Sequence, residues 1–348
     1  MNYFNKYVSN TLASSLNQLY FTSDNTKNTG RVYYKAFCKG EYEYCFMFGD
    51  AIDSTYADGT ISVANETSGK WTIHNAKLVY KNNNDSEETA QLTFDKKTEK
   101  SVSENEIFYS DPITLNINGE FYIEIEFSGT KIPYFEEIII PTKRLVNEEW
   151  IDDKRVPSPS MVGINRKVEK RVGFLGDSIT EGIGTALNSY SHWNAKIAEL
   201  IGDKYSYWNL GIGFARANDA ASDGVWLDKA KKMDIVTICL GVNDLGRGYT
   251  EDEIKSNLEK IIKVLQSNNV RTILFTIPPF DYGAENNKKW RSINSFILNE
   301  MSKITETYDV VPIWGKESPN EHIAKYGGHP NEEGCLKLAK DFVSKIEL

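Results

Sequence analysis

The stretch RVGFLGDSITEG (171–182) opens on a short apolar run, VGFL (172–175), and then breaks into GDSIT (176–180). An apolar run of this length, bounded by glycine and aspartate, fits a strand buried on both faces. Four runs of the same kind follow: YSYWNL (205–210), DIVTICL (234–240), RTILFTI (271–277) and DVVPI (309–313). Helical patterns separate them near 190–201, 218–232, 250–267 and 286–306, and NEEGCLKLAKDFVSKIE (331–347) closes the chain. This alternation predicts an α/β fold over residues 170–348: a three-layer α/β/α domain with a five-stranded parallel sheet in the flavodoxin-like 2-1-3-4-5 order.

Upstream the grammar is different. In 120–127, Phe121, Ile123, Ile125 and Phe127 alternate with Glu120, Tyr122, Glu124 and Glu126, the period of a half-buried strand. Short runs at 31–37, 42–48, 77–80, 91–94 and 113–117 are similar, and turn-rich pieces such as KNNNDSEE (81–88) and NING (116–119) separate them. Many short strands at close spacing predict an antiparallel β-sandwich, jelly-roll-like, over residues 1–155. The polar stretch 95–106 reads as a solvated loop. RVPSPSMVG (155–163) has two prolines and no period, so 156–169 reads as a linker.

The chain has 348 residues, enough for two cores. Its net charge of −9 is uneven: residues 1–155 hold 16 basic and 24 acidic side chains, and residues 156–348 hold 24 and 25. An acidic surface repels phosphate backbones and anionic lipid, so neither nucleic acid nor a membrane surface is expected as a partner. The four cysteines (38, 45, 239 and 335) lack metal-ligand spacing, as do the four histidines; no metal and no cofactor is expected. The N-terminus has no basic segment followed by an uninterrupted apolar one. The expectation is a cytoplasmic protein if Met1 is the natural start, and a secreted one if that end has been trimmed.

Four pieces fall at the carboxyl end of the parallel sheet, where ligands bind in such folds: GDSIT (176–180), NLGIGFA (209–215), GVND (241–244) and GGHPNEEG (327–334). A serine hydroxyl is a weak nucleophile that needs a base within reach, and His329 is the candidate base for Ser178. A tetrahedral oxyanion needs pre-aimed donors. The backbone N–H of Ser178, an N–H in the turn Gly211–Phe214 and the side-chain amide of Asn243 can supply them. Asp177 and Asp244 are assigned to local hydrogen bonding. His192 is read as a packing or surface residue, and His74 and His322 lie outside the site.

These four pieces, in this order, resemble the SGNH (GDSL-type) hydrolase superfamily over about residues 170–348. The resemblance implies a serine esterase with Ser178 as nucleophile, His329 as base, and Ser178, Asn243 and a glycine N–H forming the oxyanion hole. Two positions depart from the family pattern. The family's second block ends in glycine, where this chain has Gly211-Ile212-Gly213-Phe214, so the middle donor is either Gly213 or Phe214. The family's acid stands three residues before the histidine, and that position is Tyr326. The preferred reading is a Ser178–His329 pair, with a backbone carbonyl holding the second ring nitrogen; Glu317, Glu321 or Asp281 folding back is the alternative. A β-sandwich before such a domain is similar to carbohydrate esterase family two, which implies a small-molecule or oligosaccharide ester as substrate and removal of O-acetyl groups. An esterase, lipase or thioesterase for longer acyl chains, and an inactive carbohydrate-binding homologue, are the other readings.

Overall fold

The computed structural model describes residues 2–54, 64–315, 323–326 and 328–348. Among the described residues the N-terminal half forms two large antiparallel sheets and a two-stranded one, Leu19–Phe21 paired with Ile132–Tyr134. One large sheet joins Tyr7–Ser9, Met161–Asn165, Gly40–Gly49, Ile107–Tyr109 and Ile113–Ile117; the other is built on Asn28–Lys35, Glu120–Gly129 and Trp71–Lys81, with shorter strands at both edges. The period-two pattern works as expected in Glu120–Gly129. Ile123 pairs with Val32 on one side and Leu78 on the other, and all three are fully buried, while Tyr122 and Glu124 face outward. Branched and aromatic side chains facing inward from both sheets make the sandwich core.

The C-terminal half has the expected parallel sheet. Its strands are Arg171–Gly176, Ser206–Gly211, Ile235–Cys239, Arg271–Phe275 and Glu306–Tyr308, ordered 2-1-3-4-5. Gly176 stands level with Gly211 on one neighbour and Cys239 on the other, so all three leading strands end at one edge. Helices Trp193–Ile201, Glu251–Ser267, Gly283–Asn299 and Glu332–Lys345 bury apolar stripes against the sheet or one another.

Three local expectations need correction. The piece read as a linker is buried: Val156, Ser158 and Ser160 are inaccessible, and Met161–Asn165 is a strand of the sandwich, held between Tyr7–Ser9 and Gly40–Gly49. Four apolar residues behind two prolines are too few to display a period. Within 95–106, Lys100–Val102 is an edge strand paired with Trp71–Ile73, and Val102 is buried. DVVPI is mostly a helical turn, Val311–Trp314, placed after the strand Glu306–Tyr308. Pro312 lacks the N–H a strand interior needs and suits a first helical turn, and Asp309 accepts the Val311 N–H at 3.1 Å.

The two halves share one apolar core. Trp208 Nε1 donates to the Ser160 carbonyl at 3.1 Å, Lys35 Nζ to the Asn188 carbonyl at 2.7 Å, and Lys229 forms a buried ion pair with Asp53. All four cysteines are buried free thiols. Among the described residues no helix is long and apolar enough to cross a membrane.

Candidate active site

Each residue of GDSIT has a local reason. A Cβ on Gly176 would overlap Thr180 and come within 2.7 Å of the Cys239 carbonyl, so the strand can turn here only without a side chain. Asp177 is the N-cap of the short helix Ser178–Glu181, and its Oδ1 accepts the Ile179 N–H at 3.0 Å. Ser178 is therefore the first helical residue, its hydroxyl at the sheet's edge. Gly182, at φ 125°, ends the turn. Burial pushes the Asp177 carboxyl up to about 7.

His329 arrives from the far end of the chain. It sits in a small hairpin in which Tyr326 is paired with His329, and Gly328, at φ 114°, makes the bend against Phe280. The Phe280 ring meets the imidazole edge-on at 5.3 Å between centroids. Asn331 then caps the last helix, accepting the Gly334 N–H at 2.9 Å, which accounts for the spacing HPN-x-x-G. The hairpin places His329 Nε2 2.8 Å from Ser178 Oγ, with both residues more than nine-tenths buried.

Asn243 follows Gly241, whose φ of 122° lets the third strand bend straight into the helix Val242–Gly246. Its Nδ2 donates to the Ala215 carbonyl at 3.0 Å. An amide nitrogen carries two hydrogens, so this bond orients the group while one hydrogen remains for the cavity it lines. Asp244 accepts the Ala217 N–H at 2.9 Å, tying the third strand's loop to the second's; burial raises it to about 6.

The second block is held from below: Ile212 N–H donates to the Gly176 carbonyl at 3.1 Å, and Gly211 N–H to Asn209 Oδ1 at 2.9 Å. Phe214 lies in the left-handed region at φ 60°. It lines a cavity of about 320 Å³ together with Ser178, His329, Asn243, Phe280 and Glu137. Gly213 lies instead beneath the Glu137 side chain, and its carbonyl accepts from Gln18 Nε2 at 3.2 Å.

The structure thus brings Ser178, His329, Asn243 and Phe214 around one cavity and puts Gly213 just behind it. Asp281 is exposed beside Phe280; Glu317, Glu321 and His322 lie outside the described residues. His192 is a packing residue: it is fully buried, hydrogen-bonded to the Leu12 carbonyl at 3.1 Å and held down to about 4 by burial. His74 lies in the sandwich, bonded to Glu99 and Ser128. Sequence reasoning missed Glu137 and Gln18. No motif or spacing marks either, and Glu137 reaches the cavity, and Gln18 the loop behind it, only because the two halves dock.

Residues 174–335 match the model of the GDSL-like Lipase/Acylhydrolase family. An acetylxylan esterase of Xylanibacter ruminicola is 26% identical over 260 residues, covering 63% of this chain and 49% of that protein. An uncharacterised protein of Mycoplasma pneumoniae is 26% identical over 209 residues, covering 56% of this chain and 23% of its own length. The chain therefore spans less than half of either relative. Among solved structures, the acetyl xylan esterase AlAXEase aligns at 21% identity and a TM-score of 0.42, covering 51% of this chain and all of that one. The psychrotrophic esterase EstA of a Pseudoalteromonas species aligns at 21% and 0.42, covering 50% and 97%. Residues 174–335, the part that carries Ser178, Asn243 and His329, form a GDSL-like lipase/acylhydrolase domain.

Proposed function

We propose that the protein is a carboxylic ester hydrolase in which Ser178 is the nucleophile and His329 the general base, and that it removes O-acetyl groups from a carbohydrate. The observation that carries this reading is the 2.8 Å contact between Ser178 Oγ and His329 Nε2 at the edge of the parallel sheet. His329 takes the hydroxyl proton as Ser178 attacks the ester carbonyl. It returns that proton to the departing alkoxide, then deprotonates the water that cleaves the acyl-Ser178 intermediate. The oxyanion is held by the backbone N–H of Ser178, the Asn243 amide and the backbone N–H of Phe214. Phe214 is preferred to Gly213 because it lines the cavity in the left-handed conformation that a glycine adopts without strain. His329 is oriented by the hairpin bend at Gly328 and by the edge of Phe280, with Tyr326 at the position of the usual acid.

The carbohydrate part of the reading rests on the acetylxylan esterase relative and on the polar groups that share the cavity wall. The test is Ser178→Ala against wild type on p-nitrophenyl acetate, butyrate and octanoate. We expect a loss of at least about 10³-fold in kcat on acetate and a rate that falls as the acyl chain lengthens. Equal, negligible rates in both proteins would make it a non-catalytic homologue, and a preference for octanoate would replace the acetyl reading with a longer-chain one.

A further inference from the structure

One wall of the cavity does not come from the hydrolase domain. Glu137 follows Ile132–Tyr134, a strand of the N-terminal half paired with Leu19–Phe21, and its carboxyl is set on the loop Gly211–Phe214. The fit is close: a Cβ on Gly213 would overlap Glu137 Oε2 and come within 2.7 Å of its Cδ. Gln18, fully buried and also from the N-terminal half, ties the two together. Its Oε1 accepts the Glu137 N–H at 3.1 Å, and its Nε2 donates to the Gly213 carbonyl at 3.2 Å. The seat is thus fixed through the backbone on both sides, while Glu137 lines the cavity shared with Ser178, Asn243 and His329.

The charged and titratable groups around this carboxyl are few. Glu181 lies buried behind the loop beside the Gly213 backbone, Glu136 is adjacent in the chain, Lys154 supplies a favourable charge, and Arg247 and His329 line the same cavity. Burial pushes Glu137 up to about 7, Lys154 opposing and Glu136 assisting. Such a group makes the wall selective. A hydrocarbon chain laid against it would desolvate a carboxyl and give it nothing to bond, whereas an alcohol rich in hydroxyls brings donors to it.

We propose that Glu137 is a specificity-determining residue, placed in the esterase site by the N-terminal half to accept a hydrogen bond from a hydroxyl of the ester's alcohol portion, so that the site takes esters of polyhydroxylated alcohols. This rests on the esterase reading above. A site built to bond a hydroxyl discriminates strongly against substrates that lack it.

The experiment compares the full chain as wild type, Glu137→Ala, Glu137→Gln and Ser178→Ala on two substrates: a mono-O-acetylated methyl xyloside, and p-nitrophenyl acetate, whose alcohol carries no further hydroxyl. The expected result is that Glu137→Ala raises KM for the sugar ester, and that its loss of kcat/KM there exceeds its loss on p-nitrophenyl acetate by about 10-fold or more. Glu137→Gln keeps the shape and one acceptor oxygen, so it shows the same bias at reduced size and covers the case in which the alanine variant does not fold. Equal losses on both substrates, carried by kcat, would make Glu137 a support for the oxyanion loop and overturn the proposal. Unchanged KM for the sugar ester in both variants would also overturn it. A wild type no faster than Ser178→Ala on either substrate would remove the esterase reading itself, and this proposal with it.

Discussion

Asn243→Ala separates an oxyanion donor from a structural asparagine. The side chain stands in the first turn of a helix that opens on Gly241, with one amide hydrogen bonded to the Ala215 carbonyl at 3.0 Å. Truncation removes that bond and, if the second hydrogen serves the oxyanion, a transition-state contact as well. The two losses have different sizes and different readouts. A net hydrogen bond at a half-buried site contributes about 1 kcal/mol to folding, which lowers Tm by about 2–4 °C in a domain of this size. A preorganised oxyanion donor contributes about 2.7–4 kcal/mol to the barrier, or roughly 10²–10³ in kcat. Negative charge collects on the carbonyl oxygen only in the transition state, so kcat and kcat/KM fall together while KM holds. The assay is steady-state hydrolysis of p-nitrophenyl acetate by wild type, Asn243→Ala and Asn243→Asp, with melting curves on the same samples. The aspartate variant cannot donate and adds a negative charge, so it is at least as slow as the alanine. A kcat within tenfold of wild type in the alanine variant would refute the donor role, and so would a rate loss that tracks a collapse in Tm.

Other substitutions test other parts. Phe214→Gly keeps the main-chain N–H and relieves a left-handed strain of about 1–2 kcal/mol, at the expense of a half-buried ring; it should lose less than tenfold in kcat, and a loss as large as that of Asn243→Ala would show that the ring, not the N–H, is what matters. Lys229→Ala strands Asp53, which is fully enclosed between the two halves and also accepts the Asn17 N–H at 2.9 Å; breaking such a pair costs about 3–5 kcal/mol, read as a Tm lower by roughly 6–20 °C. His192→Gln tests a pH term. Burial holds His192 at about 4, below an ordinary imidazole at about 6.5, so between those values the unfolded chain binds more protons. Stability from this group is full above the upper value and falls as pH drops through the window, by about 3 kcal/mol in all. Asp177 and Asp244, raised to about 7 and 6, act in the opposite sense over part of the same range. The difference in urea-unfolding free energy between variant and wild type at pH 7 and pH 4.5 isolates the histidine, and an identical pH slope in both proteins would refute the assignment.

What could be read from the sequence was local. VGFL, GDSIT, GVND and HPN-x-x-G each encode a strand end, a cap or a tight bend whose reason lies within a few residues, so the sheet order and the placing of Ser178 and His329 at its edge could be read from the chain alone. Met161–Asn165 was not, because its pairing partner Tyr7–Ser9 is about 150 residues away and its own apolar run is too short to show a period. Glu137 was invisible for the same reason in stronger form. A glutamate between Phe135 and Ile138 carries no sign that it will meet Gly213, and only the docking of the two halves makes that contact.

That contact also gives a physical reason for the departure from the family's second block. Position 214 adopts the left-handed conformation that glycine accommodates, yet here it is Phe, while glycine stands one place earlier. A Cβ on residue 213 would overlap Glu137 Oε2, so a side chain there would displace the Glu137 carboxyl from its seat. Residue 214 faces the cavity, where a side chain forms wall. With Glu137 seated there, glycine suits the crowded position 213, while Phe214 takes the left-handed one as cavity wall. A strained residue persists only where the surrounding structure over-determines it, and here the surroundings include the other half of the chain. Gln18 holds the Gly213 carbonyl, Glu137 covers the loop, and the Lys229–Asp53 pair and the shared core keep the halves in register. Residues of the N-terminal half thus supply one wall of the site and brace the loop Gly211–Phe214 from behind.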